Sequence, residues 1–213
     1  MPVAAQYIPA AYSLTAVGAW GASDFLGGVG ARRVNAFLFT AIVHISGLVV
    51  IVALALMTRT PFPGTASLGW SLISGAVGGI ALALFYRSLA SGNMGLVAPV
   101  SAVLSAAIPA MVTAFAEGFP GYRHVFGFMV AGIGVWLISR TEAEGGRPAG
   151  LGMAVLAGIG FAGFYLCVHR AGNTSPLWIA GCSRCGAFLV TGSIVLFGSG
   201  ILGLAGIVRR KLS

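Results

Sequence analysis

The stretch Ala81–Arg140, ALALFYRSLASGNMGLVAPVSAVLSAAIPAMVTAFAEGFPGYRHVFGFMVAGIGVWLISR, decides the class of this chain. It is apolar and broken only by short polar hinges. Tyr86 and Arg87 close one apolar run, and Ser91-Gly92-Asn93 makes a turn. The next run carries Pro99 and Pro109 and ends on Glu117. Tyr122-Arg123-His124 then opens a Gly-rich run that stops at Arg140. Apolar runs here are roughly 17–30 residues long, the length of a helix that crosses hydrocarbon, not the roughly ten-residue alternation of a barrel strand.

Composition agrees across all 213 residues. Hydrophobic residues make up 58% and charged residues 8%, against about 25% charged in a soluble domain. Mean hydropathy is +0.97. A lipid-exposed chain must satisfy its backbone internally, so the expected fold is an all-α, polytopic membrane helix bundle. The formal net charge of +8 comes from residues scattered between apolar runs. That pattern reads as membrane-flanking charge, not as a nucleic-acid surface. No basic region precedes the first apolar run, which therefore reads as a span and not as a cleaved signal.

Working outward, about seven transmembrane helices are expected, near residues 8–30, 36–57, 68–89, 96–116, 125–139, 151–169 and 177–208. The last exceeds what a bilayer needs, so tilt or a break is expected around Gly198–Gly203. Pro61-Phe62-Pro63-Gly64 makes a rigid turn, because proline cannot continue a helix. Gly75-x-x-x-Gly79 and the pair Gly127 and Ala131 have the small-residue spacing that lets membrane helices approach closely. Residues 140–148, RTEAEGGRP, are the most polar stretch and the natural boundary between two halves.

Sliding the sixth and seventh runs onto the first and second with a shift of 140 pairs Gly18 with Gly158, Ala22 with Ala162, Phe25 with Tyr165, Leu26 with Leu166 and His44 with Arg184. The identity is weak but the hydropathy phase is kept. A unit of five spans would start its copy inverted in the membrane, a plan common among transporters.

Few residues could carry chemistry. Asp24 is an acid inside a span, a costly placement that favours a cavity or a partner. It suits a substrate amine or a proton; the structural alternative is a pair with Arg87, Arg184 or a helix end. Arg184 could receive a carboxylate, or snorkel to the interface. His44 could relay protons or be a satisfied core residue. Pro99 and Pro109 free backbone carbonyls, which either line a site or merely kink the helix. Trp20 and Tyr86 could line a cavity or sit in an aromatic belt. Glu117 and Arg123 read as interface charges. Cys182 and Cys185 have C-x-x-C spacing inside an apolar run, and with Cys167 they read as small buried residues. No metal, cofactor or ATP-binding loop is indicated.

These residues resemble the EamA family of the drug/metabolite transporter superfamily. The resemblance rests on Trp20-Gly21, Tyr86-x-x-Leu89, Val97-Ala98-Pro99 with Pro109, Glu117, Gly127, Gly132–Val135, Pro176-Leu177-Trp178 and Arg184. It implies ten helices in two five-helix repeats around a central cavity, with export or uptake of small metabolites, often amino acids or related compounds. On that plan residues 8–140 form the first EamA-like repeat, 141–149 the linker, and 150–213 the first two helices of a second repeat, apparently truncated. The implied setting is multi-pass, in the cytoplasmic membrane of a bacterium. The expected partners are the lipid bilayer, a small-molecule metabolite, and a second copy or a half-transporter that completes the fold, with no nucleic acid. The family plan puts the N-terminus in the cytoplasm. The basic-residue count disagrees: Arg32, Arg33, Arg140, Arg147, Arg209, Arg210 and Lys211 on one side against Arg59, Arg123 and Arg170 on the other place it outside.

The expected function is secondary transport of small metabolites by alternating access. The alternative is a truncated chain that is non-functional or partner-dependent. A membrane enzyme would need several convergent acids, His or Cys residues in the spans. A retinal pigment would need a helix lysine, and the only lysine is Lys211.

Overall fold

A computed structural model describes residues 4–91, 94–118, 121–142, 150–172 and 175–211. Seven helices make up the described chain: α1 (Ala4–Ala31), α2 (Ala36–Met57), α3 (Thr65–Ala90), α4 (Met94–Glu117), α5 (Tyr122–Glu142), α6 (Leu151–Ala171) and α7 (Pro176–Lys211). No strand occurs among the described residues. The expected boundary segment falls largely on residues 143–149, including Glu144 and Arg147, which lie outside the described residues.

The packing is that of a multi-pass membrane bundle. Its fully buried set is rich in small residues: Ser71, Ser74, Ser88, Ser101, Thr40 and Thr191 lie inside with Ala83, Ala154 and Ala157, beside Leu96 and Val97. Large apolar residues such as Val49, Leu56, Met57, Ile133 and Leu196 face outward. In lipid no hydrophobic force draws helices together, so small residues that permit close backbone contact take the interfaces.

The seven helices are the number expected, and among the described residues five of them, α2, α3, α4, α6 and α7, are long and apolar enough to cross a membrane. At 28 residues α1 is long enough, but Ser, Thr, Gly, Tyr and Asp24 dilute it. In α5 the described apolar segment is Val125–Gly134. Nor is there a break near Gly198–Gly203: α7 runs unbroken for 36 residues.

Local chemistry sets the joints. Asn35 caps α2, its Oδ1 accepting from the Phe37 N–H at 2.9 Å and the Leu38 N–H at 3.4 Å, which supplies two of the orphan donors at a helix start. The proline turn leads into α3, and there Trp178 Nε1 donates to the Thr60 carbonyl at 2.9 Å while its ring meets Phe62 edge-on at 4.8 Å. The start of α7 is thus fastened level with the end of α2. At the other end of α3, Ser88 Oγ donates to the Gly150 carbonyl at 2.7 Å. Gly150 has φ +87°, and a Cβ there would strike the Ser88 and Ser91 hydroxyls, so this turn favours glycine.

The central helix is α3. It runs antiparallel to α6, with Gly78 against Phe164, Ala81 against Gly160 and Ser88 against Gly150. It runs alongside α7 in the same direction, with Gly75 against the Ser183 carbonyl and Gly79 against Ala187. The Gly75–Gly79 pair is therefore a close-approach device, as its spacing predicts. Gly127 is not: nothing lies within 4 Å of a Cβ placed there. In the described part of the bundle α5 packs on α4, and α4 on α6 through Gly158 and a 2.8 Å hydrogen bond from Ser101 Oγ to the Ala154 carbonyl.

Candidate functional site

A cavity of about 770 Å³ lies among α1, α2, α3, α4, α6 and α7. Six of the seven residues singled out in the sequence line it: Trp20, Asp24, His44, Tyr86, Pro99 and Arg184. Pro109 does not. The missing N–H at Pro109 instead leaves the Ser105 carbonyl without its helical donor, and Ser105 does line the cavity. Helix α4 continues through both prolines.

Register explains the convergence. His44 is the ninth residue of α2 and Arg184 the ninth of α7, each about 12 Å into its helix at 1.5 Å per residue. A hydrocarbon core is about 30 Å thick, so both lie in its middle third. Arg184 does not snorkel to the interface. Its guanidinium lies along α2 at Gly47, where an added Cβ would come 2.6 Å from Cζ. A methyl there would displace the guanidinium. The Arg184 charge acts on both His44 and Tyr86.

His44 is 9% exposed, and neither Nδ1 nor Nε2 has a hydrogen-bond partner among the described residues. A buried imidazole without partners is costly. It is therefore not the satisfied core histidine that the sequence left open.

Asp24 is half-buried and shares a wall with a second cavity of about 190 Å³ lined by Gly21, Phe25, Leu89, Met94 and Ala98. Among the described residues it forms no ion pair with Arg87 or Arg184. Its charge reaches Tyr86 and Tyr165. Tyr86 lies within electrostatic reach of both the acid and the arginine, its ring pressed against Gly27 of α1 and edge-on to Phe39 at 5.7 Å. Trp20 is 62% exposed and Tyr165 39%. With the exposed Ser23 and Ala102 they mark the rim, formed by α1, α4 and α6.

Several lining residues carry no signal that sequence reasoning used. Ser23, Ser101, Ser105 and Ser183 add hydroxyls, and Phe85, Phe161 and Phe164 add apolar rings. Phe85 and Phe161 meet edge-on at 5.7 Å, as do Phe164 and Tyr165 at 5.2 Å. The spacing Ser101–Ser105 and Phe161–Phe164–Tyr165, one helix face each, is the trace they leave in the sequence. Ser74 and Ser183 join hydroxyls at 2.7 Å on the α3–α7 seam beside the cavity.

Arg123 is exposed at the start of α5, consistent with an interface charge; the Glu117 side chain lies outside the described residues. Cys182 is buried, Cys167 and Cys185 are partly buried, and all three are free thiols. No cluster of three or more His, Cys, Asp or Glu side chains occurs among the described residues.

No family model, curated protein or solved structure matches the chain.

Proposed function

We propose that this membrane protein is a secondary transporter, or a part of one, that moves a small metabolite by alternating access around the central cavity. The observation that carries the reading is the cavity itself. It opens within the apolar part of the bundle and gathers an acid, an arginine and a partnerless histidine from α1, α7 and α2. Burying three such groups in a membrane interior costs free energy that packing alone does not require. Ligand cavities of this kind run to about 300–1,000 Å³.

The resemblance to the EamA family supports the same reading, and so does the antiparallel pairing of α2 with α7, the two helices that the 140-residue shift superposes. That pairing fits two inverted units, 8–140 and 150–213, meeting at a midplane site. On this reading a second copy or a half-transporter completes the fold, and the cavity binds and releases without covalent chemistry.

The test is counterflow in proteoliposomes holding the full chain, with a pool of radiolabelled small metabolites. Saturable uptake above that of protein-free vesicles is expected. Asp24→Asn is expected to lower it about tenfold or more, because the amide can neither take up a proton nor pair with a substrate amine. Uptake no greater than in empty vesicles refutes transport by this chain; undiminished uptake in the Asp24→Asn protein removes Asp24 from the mechanism.

A further inference from the structure

Two side chains that line the cavity, Arg184 and His44, make no hydrogen bond or ion pair among the described residues. The Arg184 guanidinium lies along α2 at Gly47. One turn earlier on the same helix, His44 lines the cavity with both ring nitrogens unpartnered and 91% of its surface buried, since its exposure is 9%. Among the described residues no carboxylate neutralises Arg184. A guanidinium and an imidazole N–H that share a cavity are both donors, and they lack an acceptor. The rest of the lining carries the rings of Phe85, Phe161 and Phe164 among the Ser23, Ser101, Ser105 and Ser183 hydroxyls.

From this placement we infer that His44 and Arg184 form the anion-binding end of the cavity, and that its ligand is a small organic monocarboxylate with a ring-sized apolar body. The inference rests on the proposed transport reading and names the class of ligand for the same site. A carboxylate matches the guanidinium in charge and in planar geometry, accepting two parallel N–H bonds. The imidazole N–H supplies a third. One cation balances one negative charge. A phosphoryl dianion would bring a second charge into a membrane interior where no other Arg or Lys lines the cavity, so that class is disfavoured. The ring-sized body follows from the facing phenylalanines, which offer edges and faces and no further donors.

The experiment measures binding of benzoate and phenylacetate, and of their neutral isosteres benzamide and phenylacetamide, to the full chain in lipid nanodiscs by calorimetry. The carboxylates are expected to bind at least about tenfold tighter than the amides, the scale of one charge-assisted hydrogen bond. Arg184→Gln is expected to erase that preference, and His44→Gln to reduce it several-fold. Should Arg184→Gln not fold, Gly47→Ala serves instead. Its new methyl displaces only the far end of a flexible side chain, keeps the charge, and is expected to weaken the carboxylates without changing the amides. Arg170→Gln, whose guanidinium lies 5.9 Å from the Trp70 ring outside the cavity, is expected to keep the full preference. Equal binding of acid and amide, no binding of either carboxylate, or a preference that survives both Arg184→Gln and Gly47→Ala overturns the assignment. Counterflow of an uncharged or cationic metabolite alongside such a result would leave transport standing and remove only the anionic ligand.

Discussion

Replacing Gly75 with alanine should loosen the bundle at its tightest seam. The new Cβ would stand 2.6 Å from the Ser183 carbonyl carbon and closer still to its oxygen. Carbon atoms in good contact sit about 3.5–4.0 Å apart. The obstacle is backbone, so α3 and α7 must separate by roughly 1 Å, enough to forfeit a quarter to a half of the contact energy along the seam. The Ser74–Ser183 hydroxyl bond at 2.7 Å lies one residue away and would stretch with them. Overpacking costs about 1–3 kcal/mol, and a lost interhelical hydrogen bond in a membrane averages about 0.6 kcal/mol. Against this stands a gain of about 0.5–1 kcal/mol from putting alanine for glycine in a helix. The balance is a loss of about 1–3 kcal/mol. Gly69, in the same helix, has nothing within 4 Å of its Cβ, so Gly69→Ala should keep only the gain. Reversible unfolding in mixed micelles, read for both variants against the parent, gives the difference directly. If Gly75→Ala proves as stable as Gly69→Ala, the α3–α7 contact is not as drawn, and the placement of Ser183 and Arg184 falls with it.

Two further substitutions probe the joints. Trp178→Phe keeps a ring for Phe62 but loses the bond to the Thr60 carbonyl, a cost of about 0.5–1.5 kcal/mol in the same unfolding assay; no change would mean that the start of α7 is not fastened there. Gly158→Ala, whose Cβ would lie 2.8 Å from Leu104 Cβ and 3.0 Å from the Ser101 carbonyl oxygen, should cost about 1–3 kcal/mol, whereas Gly18→Ala, with open space around it, should be neutral or slightly stabilising. An equal cost at Gly18 would mean that α1 is covered in the bilayer.

The fold class was legible because water cannot solvate this composition, and no tertiary detail is needed to say so. Asp24, His44 and Arg184 were legible for a related reason: an ionisable group in an apolar run stands out whatever surrounds it. Other features need three dimensions. Ser101 and Ser105 are ordinary in membrane helices, where a hydroxyl bonds its own backbone; Ser105 Oγ indeed donates to the Ala102 carbonyl at 2.8 Å. Nothing local separates that serine from Ser46, which bonds the Val43 carbonyl at 3.0 Å away from the cavity. Gly127 and Gly75 share a small-residue spacing, yet only Gly75 meets a neighbour. Spacing shows that a close approach is allowed, and only the partner helix decides whether it happens. The continuity of α7 was misjudged because Gly198, Gly200 and Gly203 cost helix propensity without forbidding the helix.

The meeting of His44 and Arg184 is a consequence of register. Helix α2 has 22 residues and rises about 32 Å. The Trp178–Thr60 bond sets the start of α7 level with the end of α2, and Gly181 then faces Ile51 and Val52. One turn further on, Arg184 reaches the level of residues 48–49 of α2. That leaves about four to five residues, or roughly 7 Å at 1.5 Å each, between its backbone and that of His44. An extended arginine side chain spans a distance of that order, and the guanidinium does run back along α2 to Gly47. A tryptophan and a threonine at the membrane surface thus aim a cation toward a histidine in the middle of the bilayer. A one-residue slip at that latch would rotate Arg184 by a hundred degrees about its helix and out of the cavity.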